Sequence, residues 1–263
     1  MARRELGPAS LSVARAVAAS LPTGVAVVGV SGGADSLALA LGAKWAADRS
    51  GTQLKCVVID HQLQTGSDQV AAMTVAKLEE RELPAEVVAV DVEEGAADGL
   101  EAAARHARLT ALSAFGAPVL LGHTLDDQAE TVLLGLARGS GARSLSGMAP
   151  ARNHFVRPFL GVRRGTTEAA CAELGLKFWK DPHNEDLGFA RVRVRKKVLP
   201  VMEAELGPGI AEALARTAVL LRDDARLLDG LAQEAVPDPR LDGPLLVADV
   251  PGDPALRRRV LRR

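Results

Sequence analysis

Short, continuously apolar runs alternate with longer amphipathic stretches through the first half of the chain. The runs are rich in β-branched residues, which favours buried strands over short helices. The predicted strands cover residues 25–30, 54–60, 86–92 and 118–122. Between and before these runs, apolar residues recur at helical spacing. The predicted helices lie near residues 10–21, 36–48, 67–82, 99–114 and 125–137.

Strands of this kind, joined by crossover helices, form a parallel sheet with helices on both faces. We therefore expect an α/β fold in which a twisted parallel sheet is flanked by helices. Ligands of such sheets bind at the carboxyl ends of the strands. The turns at those ends are residues 31–36, 60–67, 91–99 and 123–127.

The second half of the chain differs from the first in composition and in its hydrophobic pattern. Residues 138–159 are rich in Gly, Ser and Arg, which indicates a long loop or several short elements. A helix is predicted near residues 165–175. The segment RVRVRKK at 191–197 has the alternation of an edge strand, and the same arginines would equally suit contacts to RNA phosphates.

A helical appendage is predicted at the C-terminal end. An amphipathic helix runs from Pro208 to about Leu231. Its expected apolar side consists of Leu214, Leu220, Leu221, Leu227 and Leu228. We expect one domain over residues 1–205 and a helical domain over 206–263. Because the chain ends in the helical pattern LRRRVLRR without a cap, this second domain is predicted to continue past Arg263.

Positive charge is concentrated in the middle of the chain. Residues 138–200 carry 13 basic and 5 acidic side chains, whereas residues 1–137 carry 10 basic and 17 acidic ones. Most of the cations are arginines, which bind phosphate and stack on bases. The distribution indicates a surface for a polyanion such as RNA.

Composition excludes several classes of protein. No apolar run reaches the roughly 18 residues that a membrane span needs, and the N-terminal residues lack the apolar core of a signal peptide. We therefore expect a cytoplasmic protein without membrane contact. Cys56 and Cys171 are far apart and lie in apolar patterns, which favours buried thiols over a disulfide or a metal site.

The first predicted strand ends in the turn SGGADS. Gly32 and Gly33, followed by a helix start near Ser36, place backbone N–H groups at a positive helix end, where they can surround a phosphate. The Lys of the Walker loop is absent, but Asp35 can hold Mg²⁺ between its carboxylate and phosphate oxygens. Ser31 and Ser36 add hydroxyl donors. The alternative is a plain tight turn.

A second polar cluster follows the fourth predicted strand. Asp127 and Glu130 lie three residues apart in the first turn of a predicted helix and therefore on one face. Two carboxylates at a strand end suit a metal ion or the ammonium group of a substrate. Asp126 and Thr124 are interpreted as residues that cap the helix and complement its dipole.

The strand–SGGADS–helix arrangement resembles the PP-loop ATP pyrophosphatase superfamily, whose members cleave ATP between the α- and β-phosphates. Three further segments are similar to the tRNA(Ile)-lysidine synthase family within that superfamily. They are HTLDDQAET with LARGSGARSLSGM, LEAAARHARLTAL, and KDPHNED followed by RVRVR. The resemblance covers about residues 25–200 and implies a PP-loop fold, similar to that of the adenine nucleotide α-hydrolases.

This resemblance implies an activity and its participants. Members of the family are ligases that join free lysine to the wobble cytidine in the CAU anticodon of an isoleucine tRNA. The cytosine 2-carbonyl oxygen attacks the α-phosphate of ATP, diphosphate leaves, and the lysine amine then displaces AMP. We accordingly expect ATP, Mg²⁺, lysine and this tRNA as the cofactors and partners of the chain.

The resemblance also implies roles for particular residues. The expected catalytic residues are Asp35, Arg105, His123, Asp127 and Glu130. The expected ATP-binding residues are Ser31, Gly32, Gly33, Ala34, Asp35, Ser36, Asp60 and His61. Asp127 and Glu130 would bind lysine, and Asp35 would bind the metal. Contacts to tRNA are expected from Arg138, Arg143, Arg191, Arg193 and Arg195. For Arg105, a surface ion pair with Glu101 is the alternative.

Two segments depart from the family pattern. The family's DHGLR turn reads Asp60-His61-Gln62-Leu63-Gln64 here, and Val192 replaces an Asn of the family's RNRIR. Two other functions stay open: another PP-loop ligase, or a module that binds ATP or RNA without catalysis. A tRNA thiolase would need nucleophilic cysteines beside the loop, and a glutamine-dependent amide ligase would need an ammonia source. The sequence indicates neither.

Overall fold

Six strands form one sheet in the computed structural model, which describes residues 6–92, 99–236 and 251–261 and only the backbone of Glu101. The strands are β1 (Val25–Val30), β2 (Gln53–Asp60), β3 (Ala85–Ala89), β4 (Val119–Leu120), β5 (Ala151–Arg152) and β6 (Phe155–Val156). Their order is β3-β2-β1-β4-β6-β5, and neighbours are parallel except for β5 and β6. The predicted α/β class and parallel sheet are confirmed. The antiparallel β5–β6 hairpin is an addition within the predicted loop.

Helices connect the strands and continue beyond them. The α-helices are α1 (Pro8–Ala18), α2 (Ala34–Ser50), α3 (Ser67–Glu79), α4 (Leu100–Ser113), α5 (Leu125–Ala137), α6 (Ala142–Leu145), α7 (Arg164–Glu173), α8 (Ala190–Arg193), α9 (Leu199–Leu206), α10 (Ile210–Ala235) and α11 (Pro254–Val260). A π-helix covers Val194–Val198. Of the predicted turn at 91–99, residues 93–98 lie outside the described residues.

The described residues divide into two compact units. The first comprises residues 6–128 and 149–193, and the second comprises residues 129–148 and 194–261, with the gaps given above. The chain passes from the first unit to the second within α5, returns to the first after Met148, and enters the second again after α8. The sequence-based boundary near residue 205 stays a prediction.

The central strands β1, β2 and β4 of the first unit are largely buried on both faces. Val28 and Val30 of β1 pack in a large hydrophobic cluster with α1, α2, α3 and α7. Val27 packs in a second cluster with Leu112 of α4. Because the sheet is covered on both sides, its strands carry the nearly continuous hydrophobicity from which they were predicted.

The long helix α10 dominates the second unit, where it packs against α6, α9 and α11. Its buried residues repeat every seven positions: Ala211, Ala218, Ala225 and Ala232. Leu220 and Leu227, predicted for the apolar side, are 66% and 65% exposed, so this part of the prediction is wrong. A seven-residue spacing returns to one helix face, whereas residues two positions further on lie on the opposite side. The small alanine side chains let the neighbouring helices approach closely.

The basic segment at 191–197 is helical, so the edge-strand interpretation is wrong. It forms the end of α8 and most of the π-helix. Val192 and Val194 are buried, which gives the alternation a packing role. Residues two positions apart in a helix do not share a face, and the arginines between the valines therefore do not form one continuous stripe.

Within the described parts of the chain, none of the helices combines the length and the apolar character required to traverse a lipid bilayer.

Candidate active site at the carboxyl edge of the sheet

The turn after β1 depends on two glycines for different reasons. Gly32 has a φ of +80°, and a Cβ atom there would lie 2.6 Å from Thr74 Oγ1 of α3. Gly33 has extended dihedrals and immediately precedes α2, which begins at Ala34, two residues earlier than predicted. A Cβ atom at Gly33 would approach only Ser31 Oγ, at 3.7 Å. Packing within the chain therefore requires a glycine at position 32 and permits a side chain at position 33.

Hydrogen bonds fix the shape of this turn. Ser36 Oγ accepts a hydrogen bond from Ser31 N at 3.1 Å and donates one to Gly33 O at 3.0 Å. Trp179 N donates to Gly32 O at 2.9 Å. The first amides of a helix have no carbonyl partner within it, and the helix dipole makes this end positive. The turn therefore has the backbone N–H groups that suit an anion.

Arg164, the first residue of α7, bridges two of the predicted catalytic acids. Its Nη2 atom lies 2.7 Å from Asp127 Oδ1, and its Nε atom lies 3.4 Å from Asp35 Oδ2. The hydroxyl of Thr167, one turn further along α7, donates a hydrogen bond to the Asp35 carboxylate. Carboxylates from the first turns of α2 and α5 thus meet around one guanidinium. The sequence analysis predicted both acids and missed Arg164 and Thr167.

Asp35 has a carboxyl group that titrates close to neutral pH. Burial raises its pKa to about 6, although the Thr167 hydroxyl and the Arg164 guanidinium both act in the opposite direction. The side chain nevertheless stays 24% exposed. A cation from solvent can therefore reach this carboxylate.

Asp127 is held in its ionised form. Burial alone would raise its pKa, but Arg164 and the backbone N–H of Thr124 keep the pKa below its ordinary value. Thr124 donates from N at 2.8 Å and from Oγ1 at 2.9 Å to Asp127 Oδ2. The carboxylate is therefore fixed at the start of α5 and accepts charge-assisted bonds on both oxygens.

Asp126 has a structural role beside this site. Its Oδ1 accepts a hydrogen bond from Arg163 Nε at 3.1 Å, and its Oδ2 accepts one from the backbone N–H of Arg164 at 2.7 Å. The carboxylate thereby ties the start of α7 to the start of α5. The interpretation of Asp126 as a residue of the helix terminus, separate from the reactive acids, is consistent with these contacts.

The turn after β4 approaches the turn after β1 very closely. A Cβ atom at Gly122 would lie 3.1 Å from Asp35 O and 3.3 Å from Ser36 N. A side chain at Gly122 would push the two turns apart. Gly122 therefore positions the following residue, His123, beside the start of α2, a requirement that the sequence pattern alone did not reveal.

His123 is a neutral imidazole at pH 7. Burial lowers its pKa to about 3, with Asp127 opposing the shift and Arg108, Arg157 and Arg105 adding to it. Its Nδ1 atom is buried and has no hydrogen-bond partner among the described residues. A neutral ring with an unpaired nitrogen suits a hydrogen bond to a ligand and does not suit a proton donor at neutral pH.

Arg105, Arg108 and Arg157 act on this histidine electrostatically, and Arg191 and His61 do so with Arg108. We call these four arginines, together with His61 and His123, the cationic cluster. Burial, together with Arg105 and Arg191, lowers the pKa of Arg108 to about 10. The Nε atoms of Arg108 and Arg157 are buried without a hydrogen-bond partner among the described residues. Buried positive charges with unpaired donors are costly and are typical of a site that binds an anion.

Of this cluster, the sequence analysis missed Arg108 and Arg157 as site residues. Arg108 lies three residues after Arg105 on α4, and that spacing was the available signal. Arg157 directly follows β6, which has only two residues and no recognisable hydrophobic run. The side chain of Glu101, the alternative partner of Arg105, lies outside the described residues.

The turn after β2 contains the departures from the family pattern. Asp60 is buried and its Oδ1 accepts a hydrogen bond from Gln62 N at 2.9 Å. Gln62 has a φ of +56°, the left-handed region in which the family's glycine is favourable. Gln64 Nε2 lies 3.3 Å from Asp181 Oδ1 and 2.6 Å from His183 Nδ1. Gln64 thus links this turn to the DPHNED segment.

His61 lies in the same turn as Asp60. Burial lowers its pKa, Arg108 adds to this effect, and Asp60 opposes it. Its Nδ1 atom is buried without a hydrogen-bond partner among the described residues. His61 and His123 therefore both present an unpaired nitrogen at the ends of parallel strands.

The second unit contains the remaining predicted acid. Glu130 is fully buried and accepts two hydrogen bonds from Arg195, at 2.7 and 3.1 Å. Arg138 and Arg143 of this unit are exposed. In the first unit, Arg193 donates to the carbonyls of Leu187 and Gly188, both at 2.7 Å. That Asp127 and Glu130 serve one lysine site stays a prediction.

No group of three or more His, Cys, Asp or Glu side chains that could hold a metal occurs within the described ranges. A metal site made only of protein ligands is therefore not indicated in this part of the chain. A carboxylate such as Asp35 can still bind Mg²⁺ when phosphate oxygens and water complete the coordination.

The fold is similar to that of a known tRNA-modifying enzyme. The U34-tRNA thiolase NcsA from Methanococcus maripaludis, solved with its [4Fe-4S] cluster, superimposes with a TM-score of 0.66 at 17% identity. The similarity covers 81% of this chain and 80% of the thiolase. At this identity the comparison supports the fold alone.

Sequence comparison is more specific. Residues 11–202 match the family model of the PP-loop domain. The tRNA(Ile)-lysidine synthase of Leifsonia xyli subsp. xyli is 51% identical over 253 residues, which are 92% of this chain and 76% of that protein. The tRNA(Ile)-lysidine synthase of Mycobacterium tuberculosis H37Rv is 51% identical over 246 residues, which are 89% of this chain and 73% of that protein. The chain therefore belongs to the tRNA(Ile)-lysidine synthase family of PP-loop proteins.

Proposed function

We propose that this protein uses ATP to join lysine to the wobble cytidine in the CAU anticodon of an isoleucine tRNA, in the cytoplasm. The products are lysidine-containing tRNA, AMP and diphosphate. The observation that carries the proposal is the meeting of Asp35 and Asp127 around Arg164, beside a glycine turn that offers amides to an anion. Family membership supplies the identity of the substrates.

The turn from Ser31 to Ser36 would hold the β- and γ-phosphates of ATP. Its amides lie at the positive end of α2, and Ser31 and Ser36 supply hydroxyls close to the backbone. Asp35 fits Mg²⁺, because this ion takes one or two carboxylates and completes its shell with phosphate oxygens and water. When bound, Mg²⁺ would neutralise charge on the departing diphosphate.

The cationic cluster would hold the reacting phosphate and the activated base. In the first step a bond forms between the cytosine 2-carbonyl oxygen and the α-phosphorus, and the bond from that phosphorus to diphosphate breaks. Arg105 would stabilise the negative charge on the α-phosphate, and Arg108 would bind the RNA phosphate next to the activated base. His123 is neutral and would contribute a hydrogen bond. His61 and Asp60, at the end of β2, would contact the nucleoside of ATP.

In the second step the lysine ε-ammonium gives up a proton to solvent, the resulting amine nitrogen attacks C2 of the adenylated cytosine, the C2–O bond breaks, and AMP leaves with that oxygen. Asp127 would position the amine. Its lowered pKa makes it a weak base, so we assign it to binding and orientation in preference to proton removal. A role for Glu130 in lysine binding would require the amine to share or replace Arg195, its present partner.

The exposed arginines of the basic segment would contact tRNA phosphates. Arg138 and Arg143 are exposed in the second unit, and Arg193 is exposed in the first. Such contacts provide affinity, whereas the choice of tRNA requires contacts to bases. Arg195 is bonded to a buried carboxylate, which favours a structural role over direct phosphate binding. Arg191 belongs to the cationic cluster and would contact RNA near the reacting base.

The test is lysine incorporation into a transcript. Purified protein, ATP, Mg²⁺ and radiolabelled lysine are incubated with an unmodified isoleucine tRNA carrying CAU, and ATP–diphosphate exchange is followed in parallel. We expect label in this transcript and none in one whose wobble cytidine is replaced by uridine. Asp35→Asn is the inactive control. Exchange without any lysine incorporation would reject lysidine formation and leave an ATP-cleaving PP-loop enzyme.

A further inference from the structure

Arg164 contacts two carboxylates that the proposed function assigns to two different cations. Asp35 would bind the divalent ion that accompanies ATP, and Asp127 would bind the ammonium group of lysine. The guanidinium of Arg164 lies 3.4 Å from the first and 2.7 Å from the second. The chain therefore places a positive charge of its own between the two acids.

The two contacts differ in strength. At 2.7 Å the bond to Asp127 is a short charge-assisted hydrogen bond, whereas 3.4 Å to Asp35 exceeds the usual range for N–H···O. Asp35 is also held by the Thr167 hydroxyl. Arg164 is thus anchored at Asp127, and its contact with Asp35 is the weaker one.

The backbone at Arg164 is fixed independently of its side chain. The Arg164 N–H donates to Asp126 Oδ2 at 2.7 Å, and Arg163 binds the other oxygen of the same carboxylate. The guanidinium lies at the end of a flexible side chain that is 20% exposed. It can leave Asp35 by a change of rotamer while α7 stays in place.

We propose that Arg164 is a positioning residue that holds Asp35 and Asp127 before the substrates bind and that a divalent cation replaces it at Asp35 while it stays bonded to Asp127. The identity of the cations rests on the proposed function. Because Arg164 repels a second positive charge at Asp35, the protein binds the metal weakly by itself. Phosphate oxygens of ATP supply the missing attraction, so metal and nucleotide bind together.

Mn²⁺ binding to the purified full chain, measured by the loss of the free-ion electron paramagnetic resonance signal, tests this assignment without turnover. We expect Arg164→Gln to bind Mn²⁺ at least about tenfold more tightly than the wild type, because one like charge has gone. Arg164→Lys keeps the charge and should bind Mn²⁺ within about threefold of the wild type. Arg163→Gln is the matched control, since Arg163 is the neighbouring residue and pairs with Asp126. It should leave Mn²⁺ affinity unchanged.

A second substitution locates the ion. Combining Arg164→Gln with Asp35→Asn should abolish the gain in Mn²⁺ affinity. Arg164→Met, which keeps the length of the side chain, replaces Arg164→Gln if thermal melting shows that the latter is unfolded. Equal or weaker Mn²⁺ binding in the folded variant, or a gain that persists with Asp35→Asn, would overturn the assignment.

Lysine incorporation by the wild type separates this inference from the proposed function. If no lysidine forms but Arg164→Gln binds Mn²⁺ more tightly through Asp35, the proposed function fails and the positioning role stands. If lysidine forms but the Mn²⁺ affinity of Arg164→Gln does not rise, the positioning role fails and the proposed function stands.

Discussion

Glu130 and Arg195 form a bidentate ion pair in the second unit, with Arg195 Nε 2.7 Å from Oε1 and Nη2 3.1 Å from Oε2. The glutamate side chain is fully enclosed. Removing one partner of a buried pair leaves an uncompensated charge, which costs more than the pair itself contributes. Substitutions at either residue are therefore expected to act on the fold before they act on a ligand.

We predict that Arg195→Met lowers the free energy of unfolding by about 3 to 5 kcal/mol, because the buried Glu130 carboxylate then loses its bidentate partner. Urea denaturation measures the change. Lys197→Gln, an exposed substitution two residues away, is the control and should stay within about 0.5 kcal/mol of the wild type. Arg195→Met combined with Glu130→Gln should recover much of the loss. A decrease below about 1 kcal/mol for Arg195→Met would contradict a structural pair.

Asp35 makes stability depend on pH. Its pKa is about 6 in the folded protein and 3.8 ordinarily, so the folded state binds the proton more tightly. The contribution of the Asp35 carboxyl to the free energy of unfolding is fully present below about pH 4. It is lost as the pH rises through 6. Asp35→Asn should therefore unfold at the same urea concentration as the wild type at pH 4. At pH 7.5 it should be about 1 to 3 kcal/mol more stable. Lower stability of the variant at pH 7.5 would show that Arg164 and Thr167 outweigh the burial of the charge.

Arg108 is predicted to lower the free energy of unfolding and to increase the affinity for tRNA. Its Nε atom has no partner among the described residues, and Arg105 and Arg191 repel it. Arg108→Met should raise the free energy of unfolding by about 1 kcal/mol, because a desolvated cation is replaced by an apolar side chain. The same variant should bind the tRNA about tenfold more weakly and reduce the slope of log K against log salt by about one.

The matched control for Arg108→Met is Arg15→Met, which changes an exposed arginine of α1. It should leave both tRNA affinity and its salt dependence unchanged. A loss of stability in Arg108→Met, with tRNA binding retained, would mean that Arg108 supports the fold and does not face a ligand.

Hydrophobic runs and motif spacing predicted those strands, helices and site residues whose positions depend on neighbouring residues in the sequence. The strand before SGGADS and the helix after it were found because β1 is buried on both faces and α2 follows at once. Asp127 was found because a strand end and a helix start coincide there. Arg164 and Thr167 could not be found in this way, since they reach Asp35 from 129 and 132 residues further along the chain. The buried face of α10 was predicted incorrectly from its leucines, because the alanines of this helix form the closely packed face.

Gln62 is predicted to strain the turn after β2. Its φ of +56° is unfavourable for a residue with a side chain, by about 1 to 2 kcal/mol relative to glycine. Glycine gains more backbone entropy in the unfolded state, which offsets part of that difference. Gln62→Gly should therefore stabilise the protein by about 0.5 to 1 kcal/mol, measured as a rise in Tm. Gln62→Val should lower the Tm, because a β-branched residue tolerates this region least. Equal Tm values for Gln62→Gly and Gln62→Val would contradict the predicted backbone strain at position 62.

Cys56 and Cys171 are predicted to be chemically inert, which separates this protein from a thiolase. Burial raises the pKa of Cys56 to about 12 and that of Cys171 to about 11, so about one thiol in a thousand or fewer is ionised at pH 8. The Cys171 thiol also donates to Ala34 O at 3.4 Å, which fixes it in the core behind the SGGADS turn. We expect alkylation by iodoacetamide to be at least about a hundredfold slower in the folded protein than in urea.

The variant with both Cys56→Ala and Cys171→Ala should retain lysine incorporation, since neither thiol takes part in the proposed reaction. Any loss of stability should match that of removing two small buried side chains, about 1 kcal/mol each. Anaerobic addition of iron and sulfide should produce no cluster absorbance, because the two buried cysteines cannot supply the four thiolates that such clusters take. Rapid alkylation that abolishes activity, or loss of activity in the folded alanine variant, would instead point to thiol chemistry at this PP-loop.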